Sequence, residues 1–219
     1  MEGVICLVIV SPILLGFVLL GTLITRSMIS KNPKIGVHVM PLALVILISD
    51  SLSPPIYSNA VTDSIIIDAP AQVVWQYVPS FPPIDAPDNY WLFSLGLPQP
   101  IETKIEGSFV GAWRKCVFSG NLTFEEQISD YKEGIEIAFE VKKHPFDPGI
   151  FNHVTIERGK MALHENGDGT TTLTGTTWYQ LHAFPVWYYE RWADSIGRAV
   201  HLQVMQHIRE LAEHQHAAS

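Results

Sequence analysis

Apolar and polar positions change their period several times along this chain, and each change marks an element. Residues 4–24 carry no charged side chain, a run as long as the roughly 20 residues a bilayer-crossing helix requires. Pro12 within it is compatible with a membrane helix. Residues 35–49 form a second apolar run of about 15 residues that contains His38 and Pro41 and is short for a full crossing. From residue 61 onward the pattern is that of a mixed domain. Residues 61–67 read as a first strand, and Asp68-Ala69-Pro70 ends it and opens a short helix over 70–78, with proline at a favoured first-turn position. A second short helix is expected over 87–95, carrying Tyr90, Trp91 and Phe93. Strands are then expected over 101–105, 111–119, 122–129, 135–141, 155–164 and 170–182, with Asn166-Gly-Asp-Gly169 the clearest hairpin signal between them. Past Ala183-Phe-Pro185 the period turns helical, with Tyr188, Trp192, Ile196, Val200, Val204 and Ile208 at four-residue steps. Such a stripe slips by about 40° per step against a 3.6-residue turn, which suits a helix lying diagonally across a twisted sheet.

One strand, two short helices, six hairpin-linked strands and one long helix argue for an α+β domain with an antiparallel, curved sheet of about seven strands. The expected organisation is a membrane anchor over 1–50 (one span at 4–24, a second candidate at 35–49), a Pro/Ser-rich linker over 51–60 and a ligand-binding domain over 61–216. Charge divides the same way. Of 14 Lys+Arg and 22 Asp+Glu, the leader holds only Arg26, Lys31, Lys34, Glu2 and Asp50, which leaves the domain 11 against 20. An acidic domain without a basic cluster is a poor nucleic-acid binder, since phosphate neutralisation supplies most of that affinity. The basic loop between the two apolar runs belongs in the cytoplasm by the positive-inside bias. If both runs cross, the domain is extracytoplasmic; if only the first does, it is cytoplasmic. Cys6 and Cys116 sit in different parts of the chain, so no disulfide within the domain is available.

The peptide Ser64-Ile-Ile-Ile-Asp-Ala-Pro-Ala-Gln-Val-Val-Trp75 resembles the opening strand and helix of the START-like, or SRPBCC, superfamily. The resemblance continues through Gly111-Ala-Trp-Arg-Lys-Cys-Val-Phe118, Asn166-Gly-Asp-Gly-Thr170 and Gly175-Thr-Thr-Trp-Tyr179 to the terminal helix. Its polyketide cyclase/dehydrase and lipid-transport branch is the nearest in pattern. The match spans residues 61–213 and leaves out the leader. It implies a helix-grip fold, in which the sheet wraps the last helix around a cavity for a hydrophobic small molecule or lipid. Some members of that superfamily are cyclases or aromatases and many only bind and carry, so the fold alone does not assign chemistry.

Alternation on residues 111–119 puts Arg114, Cys116 and Phe118 on one face. Arg114 is either a cavity cation able to grip an anionic group or a surface arginine paired with a nearby acid such as Glu126. Cys116 reads as a small core residue, with nothing to depress its pKa. Tyr179 is either core or a hydroxyl directed into the pocket. Trp91, Trp187, Tyr188 and Trp192 are candidate flat walls for a ligand, or the aromatic packing of a helix end. His201 falls midway along the slanting stripe and is the one histidine expected inside the cavity. His201, His207 and His214 are six and seven apart, not the three or four of paired ligands on a helix, so no metal and no cofactor are expected. Three functions stay open. The first is membrane-anchored binding or transport of a hydrophobic or lipid-like molecule. The second is a cyclase- or dehydratase-like enzyme using Arg114, Tyr179 or His201, and the third is a membrane-attached interaction module. A cavity above roughly 300 Å³ separates the first two from the third. Oligomeric state is not legible.

Overall fold

The structure is a computed structural model that describes residues 2–29, 56–85, 90–145 and 153–218. The second apolar run at 35–49 and the junction up to residue 55 lie outside the described residues. Helix α1 (Glu2–Ile29) contains the candidate span Val4–Leu23, with mean hydropathy 2.9. Strand β1 (Tyr57–Ile67) begins four residues earlier than the alternation predicts, because Tyr57–Ala60 continue the ladder with β7. Short helices α2 (Ala71–Trp75) and α3 (Trp91–Ser94) follow. Then come β2 (Pro100–Ile105), β3 (Trp113–Phe118), β4 (Leu122–Lys132), β5 (Glu136–Lys143), β6 (Val154–Glu165) and β7 (Thr171–Leu181), and finally α4 (Val186–Ala217). The seven strands form one antiparallel sheet in the order β1-β7-β6-β5-β4-β3-β2.

The expected hairpin turn joins β6 to β7. Asn166 N donates to Thr170 O at 3.0 Å, Gly167 and Gly169 take φ of 75° and 91°, and Asp168 Oδ1 accepts from Thr170 N and Oγ1. Register shifts in β2/β3, β4/β5 and β6/β7 are bulges that sharpen local twist, and they bend the sheet around α4. That helix, 32 residues and about 48 Å long, is held in two different ways along its length. Its C-terminal half enters the main core, where Val204, Met205, Ile208 and Ala212 meet Ile67, Val74, Val78, Ile128, Ile137 and Leu173. Earlier, Ala199 packs into a second cluster with Leu92, Phe93 and Leu97 of the α3 region and Ile5 of α1. Between these two packed regions the helix crosses open space.

Candidate functional site

That space is a cavity of about 190 Å³. Apolar side chains from both layers supply nearly all of its wall. Phe118, Phe124, Phe139, Ile156 and Met161 come from the sheet, and Ile196, Val200 and Val204 from α4. Two glycines set the shape. At Gly159 a Cβ would stand 2.5 Å from the Phe139 ring, so only glycine lets that ring lie flat against β6. At Gly197 a Cβ would stand 2.8 Å from Val61 Cγ1, so the bare backbone brings α4 close to β1. The volume lies below the roughly 300 Å³ expected of a pocket for the binding and enzyme readings, so that expectation is not met, yet it is above the ~150 Å³ apolar cavity that takes up benzene. It has room for a single-ring molecule, not for a whole phospholipid.

Arg114, Cys116, Phe118, Tyr179 and His201 all line this cavity, as the alternation and the helical stripe predict. The polar ones are already engaged. Arg114, 3% exposed, is ion-paired through Nη1 with Glu126, which is 5% exposed. Its Nε donates to Pro79 O at 3.3 Å, and its guanidinium lies 4.1 Å from the Phe139 ring centroid. Glu126 is thus the partner of Arg114, but the pair is buried at the cavity wall and not on the surface. Burial raises the Glu126 pKa, and the neighbouring guanidinium opposes that rise. The Tyr179 hydroxyl donates to Asp194 Oδ1 at 2.6 Å and accepts from Asn59 Nδ2 at 3.3 Å, so it points away from a ligand. Burial, with the Asp194 hydrogen bond, holds its pKa well above the usual phenol value. Burial pushes the Cys116 thiol up to about 11, as expected of a core thiol and opposite to a nucleophile.

His201 sits in a three-membered chain. Its Nδ1 lies 3.1 Å from Asp63 Oδ2 and its Nε2 2.8 Å from Thr177 Oγ1. Asp63 also accepts from Arg198 Nε at 2.8 Å. An acceptor carboxylate at Nδ1 fixes the proton there, so Nε2 accepts the Thr177 hydroxyl. Burial lowers the His201 pKa and Asp63 opposes this, which favours the neutral ring.

Trp91, Trp187, Tyr188 and Trp192 do not line the cavity. Trp187 is 62% and Trp91 48% exposed, and Trp192 packs against the second cluster with its ring 6.3 Å from Trp91. The Tyr188 hydroxyl donates to the backbone carbonyl of Ile9 in α1. These rings stand where α1 meets the domain, because residues 187–192 precede the part of α4 that the sheet encloses. Among the described residues no group of three or more His, Cys, Asp or Glu side chains is placed to hold a metal.

No protein-family profile and no curated protein matches the chain. Solved structures do. The Zhui aromatase/cyclase from Streptomyces sp. R1128 superposes with a TM-score of 0.51 at 14% identity, over 74% of this chain and 99% of that one. Norcoclaurine synthase from Thalictrum flavum, in complex with dopamine and hydroxybenzaldehyde, superposes with a TM-score of 0.47 at 14% identity, covering 72% and 87%. The domain has the helix-grip fold.

Thr177, Phe124, Phe139 and Gly197 line the helix-grip cavity without a sequence signal that singles them out, and Asp63 stands behind its wall, against His201. Asp63 left a signal. It occupies an inward position in the alternation of residues 61–67, between buried Val61 and Ile67, and is itself 9% exposed. An acid placed in that register needs a buried partner, which His201 supplies, and the exposed Arg198 adds a second contact.

Proposed function

We propose that the protein is a membrane-anchored binder of a small hydrophobic molecule, held in the helix-grip cavity without covalent chemistry. The observation that carries this reading is the cavity itself: a partly open hollow between sheet and helix, walled by apolar side chains, and with its ionisable groups already paired to protein partners. A guest therefore gains mainly apolar contact, and its size is that of one ring or a short branched chain. Attachment by α1 supports the same reading, since a molecule partitioned into the bilayer is concentrated beside the pocket. The contact of Ile5 and Ile9 with the domain supports placing the N-terminal end of α1 and the domain on one side of the membrane. With the sequence-expected cytoplasmic place of the basic residues that follow the span, that side is extracytoplasmic. The test is native mass spectrometry and solvent extraction of full-length protein. A co-purifying hydrophobic molecule of single-ring size, lost in Cys116→Phe, is expected. A wild-type protein that stays empty when offered membrane extracts would refute the reading.

A second reading, a cyclase- or dehydratase-like enzyme, is favoured by one arrangement, the Asp63–His201–Thr177 chain at the cavity wall. A neutral imidazole oriented by a carboxylate is a competent general base. Deuterium entering a carbon position of the extracted ligand in heavy water, and failing to enter with His201→Gln, would move the assignment to it.

A further inference from the structure

The two ends of α1 face different surroundings. Ile5 is fully buried and, with Val8 and Ile9, packs into the cluster of Leu92, Phe93, Leu97 and Ala199. From Leu14 to Leu23 the large apolar side chains are exposed: Leu14, Leu15, Phe17, Val18, Leu19 and Leu20 are each at least 43% so, and Leu23 is 64%. The apolar span Val4–Leu23 is 20 residues, about 30 Å at ~1.5 Å per residue, and a hydrocarbon core is about 30 Å thick. The span therefore has no residue to spare. If the docked turn Ile5–Ile9 stood outside the membrane, the rest would be too short to cross.

Both conditions hold together when the docking face enters the bilayer with the helix. The turn from Ile5 to Ile9 covers roughly 6–8 Å of depth, the thickness of an interfacial layer in which amphipathic aromatic rings settle. The face around that turn is aromatic. Tyr90 lies beside Trp91 (6.5 Å between centroids), Trp91 beside Trp192, Trp192 beside Tyr188 (6.4 Å) and Tyr188 beside Trp187 (5.9 Å). Trp91, Trp187 and Phe184 are exposed, and Trp187 and Trp192 stand beside the Tyr188 ring whose hydroxyl holds the Ile9 carbonyl. Arg191, one turn beyond Trp187, is exposed and adds a cation beside this face.

We propose that this aromatic face seats the domain in the headgroup layer of a lipid bilayer, and that the docked turn of α1 forms one side of the passage between bilayer and cavity. The second half follows from shared residues. Leu97, Ile196 and Val200 belong both to the cluster that receives Ile5 and to the cavity lining. These three side chains form a single layer between the docked turn and the cavity, so a hydrophobic guest moving along α1 enters by displacing them. The proposal rests on the membrane-anchored reading above and adds the surface, its residues and its depth.

The experiment reconstitutes full-length protein in phosphatidylcholine vesicles carrying bromine high on the acyl chains and compares tryptophan quenching in wild type, W91F/W187F and W113F. Trp113 is 38% exposed on β3 and has no place in this face. The expected result is quenching in wild type and W113F, with the quenchable fraction reduced by about half or more in W91F/W187F, as interfacial rings at those two positions require. Protein that resists carbonate extraction but shows equal quenching in all three forms would overturn the seat and leave the anchor intact. Protein released by carbonate would overturn the anchor, and the seat with it.

Discussion

Replacing Glu126 by glutamine removes the one full charge that balances Arg114 inside the domain. Arg114 is 3% exposed and would keep a neutral amide oxygen in place of the carboxylate, a 3.3 Å bond to Pro79 O and the face of Phe139, with no counter-charge. Breaking a buried ion pair from one side costs about 3–5 kcal/mol, against a total stability of about 5–15 kcal/mol for a domain. At about 2–4 °C per kcal/mol for a domain of this size, the midpoint of thermal unfolding should fall by roughly 6–20 °C. The R114M/E126L variant, which removes both charges and fills similar volume, should come within about 1 kcal/mol of wild type or exceed it. The assay is near-ultraviolet circular dichroism of full-length protein in detergent, with temperature and urea scans run together. An E126Q variant that loses less than about 1 kcal/mol would refute the reasoning, because Arg114 would then be finding water through the cavity.

Three further outcomes follow from the same geometry. G197A should destabilise despite a helix-propensity gain of about 1 kcal/mol, since its Cβ meets the stiff Val61 side chain at 2.8 Å; V61A/G197A should recover part of the loss in a double-mutant cycle of urea midpoints. His201 is held below the ordinary imidazole pKa by burial. Below about pH 6.5 the unfolded chain therefore takes up a proton that the folded one refuses, and stability present at neutral pH is lost on acidification. Urea midpoints should drop more between pH 7.5 and 5.5 in wild type than in H201Q, and equal drops would contradict this. Cys116, with its thiol pushed up to about 11, should react with iodoacetamide at pH 8 about a hundredfold more slowly in folded than in urea-unfolded C6S protein.

Legibility from sequence followed the period of each element. Long alternations returned as strands within a few residues, and the four-residue stripe returned as α4, because one buried face sets the spacing of a strand or helix. The start of β1 was misread because Tyr57–Ala60 are polar by composition and are held by backbone pairing to β7, which has no sequence period. On β3 alternation puts Arg114, Cys116 and Phe118 on one face, and the structure turns that face, with Tyr179 of β7, toward the cavity. The aromatics of α3 and early α4 were assigned to the cavity on bulk and apolarity, properties that a membrane-facing ring shares with a pocket wall. What separates the two is whether the sheet covers them, and that depends on where α4 emerges from its grip. Thr177 was invisible because one hydroxyl among many on β7 becomes distinctive only when the helix brings His201 to 2.8 Å.

The central claim is that the space between sheet and helix takes up a hydrophobic guest, and thermal unfolding of full-length protein in nanodiscs under increasing indole tests it most directly. Ligand at about 100 times Kd stabilises by about 2.7 kcal/mol, roughly 5–10 °C here. Wild type should show that saturable rise, and C116F/V200F, with two rings filling the same volume, should not. A wild-type midpoint unmoved by indole, or an equal rise in both proteins, would contradict the account.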